Sequence, residues 1–184
     1  MTNEKQPTRP SRTAPNNEDF EALVSRYEGP LLRYVTRILR DADAAQDVVQ
    51  NTLIKLLKRW KDALEPSPQM STWLYRVAHN GAVDYIRKES RKRDLHVRHS
   101  EEVKTGETLA MPEIRERSEA LELAESLLGV LSLREQQLVV LKVYEEKSYR
   151  ELSAITGLGE GNVGYILHHA MKKMAQAARD LQRP

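Results

Sequence analysis

The chain has no cysteine in its 184 residues, which excludes disulfides and thiolate metal sites. It has no run of about 20 apolar residues, so no helix is expected to span a membrane. The N-terminal stretch MTNEKQPTRPSRTAPNN has no apolar core, so residues 1–17 read as a disordered tail and not as a signal peptide. A cytoplasmic location fits these absences. Aromatic residues make up only 5% of the chain, and its glycines and prolines sit mostly at segment edges. This composition favours an all-α protein over a sheet protein. There is no phosphate-cradling glycine loop, no nucleophile motif and no metal cluster. Carboxylates are scattered over helix surfaces, so neither an enzyme nor a cofactor is expected.

Charge is plentiful but nearly balanced. Charged residues make up 30% of the chain and the formal net charge is +2, so the distribution matters more than the sum. The densest basic run is RKESRKR, Arg87 to Arg93.

Apolar residues at Phe20, Leu23, Val24, Tyr27, Leu31, Val35, Ile38 and Leu39 have helical spacing. Gly29-Pro30 is expected to kink or split this helix. Asp41 or Asp43 suits the N-cap of a second helix reaching about Trp60, with Ala45, Val49, Leu53, Leu56 and Trp60 as its buried stripe. EPSPQMS, Glu65 to Ser71, reads as a loop. Ser71 or Thr72 then caps a third helix to about Arg93, with Leu74, Val77, Ala78, Gly81 and Tyr85 in one stripe and Trp73 beside it. Residues 94–117 lose the periodicity and read as a flexible linker.

A second unit, residues 118–184, opens with Leu121, Leu123, Ala124, Leu127 and Leu128. LSLREQQLVVLKVY gives the next helix. Ser148 and Glu151 form an S-x-x-E capping box, and Gly157 suits the left-handed residue that ends a helix. A last helix follows, with Val163, Ile166, Leu167, Ala170 and Met174 facing inward. Two short helices, a glycine-containing turn and a supporting helix make a helix-turn-helix pattern.

STWLYRVAHNGAVDYIRKESRKR, through Trp73-Leu74, Ala78, Asn80, Val83-Asp84 and its basic exit, resembles region 2 of the extracytoplasmic-function sigma factors of the sigma-70 family. DVVQNTLIKLLKRW adds that region's Asp-Val-Val-Gln-x-Thr element. LSLREQQLVVLKVYEEKSYRELSAITGL resembles region 4 of the same family. The likeness runs from about residue 18 to 180, in the family's order. It implies an all-α protein of two small helical domains joined by a flexible linker: a region 2 helical bundle over 18–93 and a region 4 helix-turn-helix over 118–184. It further implies core RNA polymerase as partner, with region 2 on the clamp helices and region 4 on the flap. Promoter DNA would be melted at the −10 element and read at −35. An anti-sigma factor would be the regulator; a Ser/Thr kinase is the alternative that the acid-poor face of the second helix raises. A sensory domain fused after the last helix is not expected.

The resemblance places polymerase binding on Ala44, Gln46, Asp47, Gln50 and Asn51. Family acids are replaced here by Ala44, Gln46 and Asn51, and Lys55 and Lys58 share the face of Asp47. Two readings stay open. The loss is drift offset by apolar contacts, or phosphorylation of Thr52 restores the missing charge. The −10 candidates are Pro66, Gln69, Trp73, Arg76, Asn80, Arg87, Lys88 and Arg91, with Tyr75 and His79 as further DNA-facing candidates. A pocket for an unstacked base needs irregular backbone, a stacking surface and amide groups. Trp73 suits either that surface or the core. The basic run suits either phosphates or a solvated helix end.

On the last helix, Asn162, Tyr165, His168, His169, Lys172 and Lys173 avoid the apolar stripe and are the −35 candidates. Gly164, Tyr165 and Ile166 depart from the family's usual Lys, Ser and Arg. The alternative readings are a stand-alone helix-turn-helix regulator, which would dimerise on palindromic sites, and a polymerase-binding interaction protein that selects no promoter.

Overall fold

The computed structural model describes residues 17–60, 68–99 and 119–181. Every regular element among them is a helix: α1 (Asn17–Leu39), α2 (Ala42–Trp60), α3 (Pro68–His99), α4 (Glu119–Gly129), α5 (Leu133–Val143), α6 (Tyr149–Thr156) and α7 (Glu160–Leu181). The first three form one bundle. In the second unit, α7 packs on α4, α5 and α6.

α1 is one helix and is not split at Gly29-Pro30; Pro30 lies inside it. Its end is marked by Arg40, held at φ +55° with its N–H donated to Thr36 O at 2.8 Å. Glycine usually fills such a left-handed helix end, because a Cβ is strained there. Asp41 then caps α2, its Oδ1 accepting the Ala44 N–H at 3.0 Å. Its other oxygen accepts the Tyr85 hydroxyl at 3.1 Å, tying the α1–α2 corner to α3.

The inner face of α2 buries Ala44, Ala45, Val48, Val49, Thr52, Leu56 and Trp60. A Cβ on Gly81 of α3 would meet Val48 Cγ1 at 3.0 Å, so glycine there sets how closely α2 and α3 approach. α3 starts at Pro68, earlier than the expected Ser71 or Thr72, and continues to His99. Proline suits a first helical turn, where its missing N–H has no partner to lose.

Both capping boxes of the second unit close fully. Ser148 Oγ accepts the Glu151 N–H while Glu151 Oε2 accepts the Ser148 N–H at 2.8 Å. Ser132 and Glu135 do the same at the start of α5. Gly157 ends α6 at φ +75°. α7 buries Val163, Leu167 and Ala170. The units also touch each other: α6 lies along α3, and α5 meets α1.

Candidate nucleic-acid and polymerase interfaces

α2 presents a continuous outer face. Gln46, Asp47, Gln50 and Asn51 are all exposed, and Asn51 Nδ2 donates to Asp47 O at 2.9 Å. Two residues assigned to this face lie elsewhere. Ala44 is buried against the bundle, so it cannot be a docking contact. Thr52 is 1% exposed, and its hydroxyl donates to Val48 O at 2.8 Å. A kinase cannot reach that oxygen in the folded protein, which removes Thr52 phosphorylation as the source of docking charge. The face carries something the sequence reading missed. Asp43 is exposed one turn before Asp47, and Ile54 and Leu57, 49% and 42% exposed, continue the face beyond Asn51. In the sequence Asp43 suits a cap; Asp41 takes that role, and Asp43 faces outward.

Along α3, Gln69, Arg76, Asn80, Arg87, Lys88 and Arg91 are exposed. Pro66 lies outside the described residues. Trp73 is half-buried against the core, with the Arg59 guanidinium 5.2 Å from its ring centre, so only part of its surface is free for stacking. Tyr75 and His79 do not face outward. Tyr75 is buried and donates its hydroxyl to Glu145 of the second unit. His79 is buried, its Nδ1 hydrogen-bonded to the Tyr34 hydroxyl at 2.9 Å. Burial pushes the His79 pKa down to about 4, and burial first of all raises that of Tyr34. The basic exit of α3 is partly paired within itself: Arg87 lies 3.8 Å from Asp84, and Lys92 lies 2.6 Å from Glu89. Exposed pairs of this kind are worth at most about 1 kcal/mol and yield readily to phosphates.

α7 turns Asn162, Tyr165, His168, His169, Lys172 and Lys173 to solvent. Tyr165 and His169 rest ring to ring at 4.3 Å, and His168 and His169 are 5.7 Å apart. Lys173 is engaged: its Nζ lies 2.8 and 3.0 Å from the two oxygens of Glu135. That lysine ties α7 to the first turn of α5, so it orients the helix besides presenting charge. The Lys173 bond, with those from Ser132, holds the Glu135 carboxyl below its ordinary pKa. The helix-turn-helix thus presents Asn162, Tyr165, His168, His169 and Lys172 at its surface. Among the described residues, no three His, Cys, Asp or Glu side chains gather as a metal site would require.

The chain thus pairs a three-helix bundle, with an open polar face on α2 and a basic exit on α3, with a helix-turn-helix whose outer helix is polar, and two family descriptions match these two stretches. Sigma-70 region 2 matches residues 23–92, and Sigma-70 region 4 matches residues 121–174. The chain belongs to the sigma-70 family, in its extracytoplasmic-function branch. Region 2 is therefore α1 to α3, and region 4 is α4 to α7.

Relatives cover nearly the whole chain. RNA polymerase sigma factor YlaC of Bacillus subtilis is 26% identical over 172 residues, 91% of this chain and 98% of that protein. RNA polymerase sigma-E factor of Streptomyces coelicolor is 29% identical over 167 residues, 89% of each chain. ECF RNA polymerase sigma factor SigL of Mycobacterium tuberculosis is 27% identical over 162 residues, 88% of this chain and 90% of that one.

Two solved structures share the fold. One is the sigma factor RpoE in complex with the anti-sigma factor NepR from Bartonella quintana, at TM-score 0.66 and 22% identity, covering 90% of this chain and 99% of that one. The other is CnrH in complex with the cytosolic domain of CnrY, at TM-score 0.62 and 22% identity, covering 91% and 92%.

Proposed function

We propose that the chain is an alternative sigma factor, which binds core RNA polymerase and directs it to a particular set of promoters. The observation that carries this reading is the pairing of region 2 and region 4 in one chain, each with an exposed polar helix where the family makes its contacts. Gln46, Asp47, Gln50 and Asn51 on α2, joined by Asp43, Ile54 and Leu57, dock on the polymerase clamp. Gln69, Arg76, Asn80 and the Arg87, Lys88, Arg91 run serve the −10 element. Asparagine offers an amide to a base edge, and the basic residues neutralise phosphates. Asn162, Tyr165, His168, His169 and Lys172 serve −35, with Lys173 orienting the helix. The chain brings no catalysis of its own; nucleotide addition belongs to the polymerase, and both work in the cytoplasm. Control by an anti-sigma protein is the regulatory reading, supported by the anti-sigma factor NepR bound in one structure of like fold.

The test is retention of the chain on immobilised core polymerase, followed by sequencing of transcripts started in vitro on genomic fragments. Specific start sites that require both components are expected. Tight binding of the free chain to palindromic duplexes, without polymerase, would replace this reading with a stand-alone regulator. Retention without any new start sites would replace it with a polymerase-binding protein that selects no promoter.

A further inference from the structure

A cavity of about 590 Å³ lies between α3 on one side and α5 with the turn after α6 on the other. Its size falls within the roughly 300–1,000 Å³ of small-molecule sites, which often form where two units meet. Two polar side chains, one from each wall, distinguish it from a gap in packing. His79 of α3 is 6% exposed and Gln137 of α5 is 7% exposed, and both line the cavity. Nδ1 of His79 is bonded to the Tyr34 hydroxyl, but its Nε2 has no hydrogen-bond partner among the described residues. The side-chain amide of Gln137 has none either. Buried polar groups almost always find partners, so two without one in the same cavity point to a ligand that supplies them.

The rest of the lining says what kind of ligand. Val83, Leu138 and Leu158 give the cavity apolar surface, which a filling of water alone would leave wet. Arg87 of α3 and Arg134 of α5 bring a guanidinium from each wall. Arg134 makes no ion pair among the described residues. Arg87 lies 3.8 Å from Asp84, but both are exposed, and so loose a pair yields to a stronger anion. Two arginines against one carboxylate leave the lining positive.

A ligand that meets all of these groups has a flat body with a hydrogen-bonding edge and more than one acidic group. A glutamine amide bonds adenine through N6 and N7 at once, accepting from the first and donating to the second. A guanidinium grips phosphate through two parallel N–H bonds. We propose that this cavity is a binding site for an adenine nucleotide with two or more phosphates, its base held by Gln137 among the apolar side chains and its phosphates by Arg87 and Arg134. His79 Nε2 supplies a further bond from the opposite wall. Asn80, a −10 candidate like Arg87, also lines the cavity, so a bound nucleotide withholds both from promoter DNA. That consequence rests on the sigma-factor reading; the binding site does not.

The experiment titrates the full chain with ADP by calorimetry, with GDP, adenosine and inorganic phosphate as comparators. One ADP per chain is expected, with weaker binding of the other three, and ADP should raise the unfolding temperature. Gln137→Met keeps the length of the side chain without its amide. Arg134→Ala changes an exposed residue, so it carries the test even where Gln137→Met disturbs α5. Each should weaken ADP binding roughly tenfold or more, the loss expected for one bond to a charged or buried group. Arg26→Ala removes an exposed cation of α1 outside the cavity and should leave ADP binding unchanged. No binding at millimolar ADP would overturn the site. So would GDP or phosphate bound as tightly as ADP, ADP binding that survives both cavity variants, or an equal loss from Arg26→Ala. Polymerase and promoter are both left out of the titration, so a failure of specific initiation counts against the sigma-factor reading separately.

Discussion

At Gly157 the backbone sits at φ +75° with open space where a Cβ would project. An alanine there meets no neighbour, and its cost is purely conformational, about 1–2 kcal/mol for a left-handed L-residue. Gly164, inside α7, is the converse. Its Cβ would rest at ordinary contact distance, 3.6 Å, from Tyr149 Cε1, so alanine fits and gains about 1 kcal/mol of helix propensity. Thermal unfolding should therefore show Gly157→Ala destabilised and Gly164→Ala stabilised. Similar shifts in the two variants would show that the turn does not need its left-handed residue. The role of Gly157 was legible in sequence because helix ends follow local rules, as was the Ser148 box, while the cap of α2 was narrowed to Asp41 or Asp43 and the structure selects Asp41. Thr52 was not. Its hydroxyl finds its partner one turn back in its own helix, so a polar residue sits inside an apolar stripe, and only packing reveals it.

Among the helices, α2 and α3 differ in how much their sequences disclosed. α2 has one buried face, and the spacing of Ala45, Val49, Leu56 and Trp60 marks it, leaving the opposite face open. α3 packs against α1 and α2 and again against α6, so its apolar stripe understates its burial. Tyr75 lies under Glu145 and Lys147 of the α5–α6 loop and against Tyr34, and His79 is bonded to Tyr34 of α1, so both lie inside although polar enough to suggest a DNA-facing role. On α2, the exposed Ile54 and Leu57 continue the outer face proposed to dock on polymerase. Replacing both with serine should leave stability within about 0.5 kcal/mol, because exposed positions contribute little to folding. If these side chains become buried against polymerase, each should be worth about 1 kcal/mol there, so the pair should weaken core binding by ten- to thirtyfold. Binding titrations with labelled core polymerase at two salt concentrations measure this. An affinity that tracks salt but ignores both substitutions would return the docking energy to Asp43 and Asp47.

Across the whole molecule, acid should act on the two regions in sequence. In region 2, His79 is buried neutral with its pKa near 4, against an ordinary value of 6.5. The unfolded chain takes up that proton first. The stability contributed by neutral His79 is therefore complete above about pH 6.5 and is lost as pH falls toward 4. The slope is at most about 1.4 kcal/mol per pH unit. In region 4 the sensitive groups are carboxylates. Glu135 is held low by Lys173 and Ser132. Burial raises Glu151, yet the bonds from Ser148 together with the charges of Lys147 and Lys142 outweigh that and leave it lowered. Their contribution is complete above the ordinary value of 4.5 and disappears only below it. Between pH 7 and 5, then, region 2 should soften while region 4 keeps its protection. Hydrogen exchange resolved by peptide, corrected for the intrinsic pH dependence of exchange, measures both regions in one sample. His79→Gln keeps a hydrogen-bonding partner for the Tyr34 hydroxyl but cannot titrate, so it should flatten the region 2 response and leave region 4 unchanged. An equal loss of protection in both regions between pH 7 and 5, or a region 2 slope that survives His79→Gln, would show that His79 does not set the acid response of this chain.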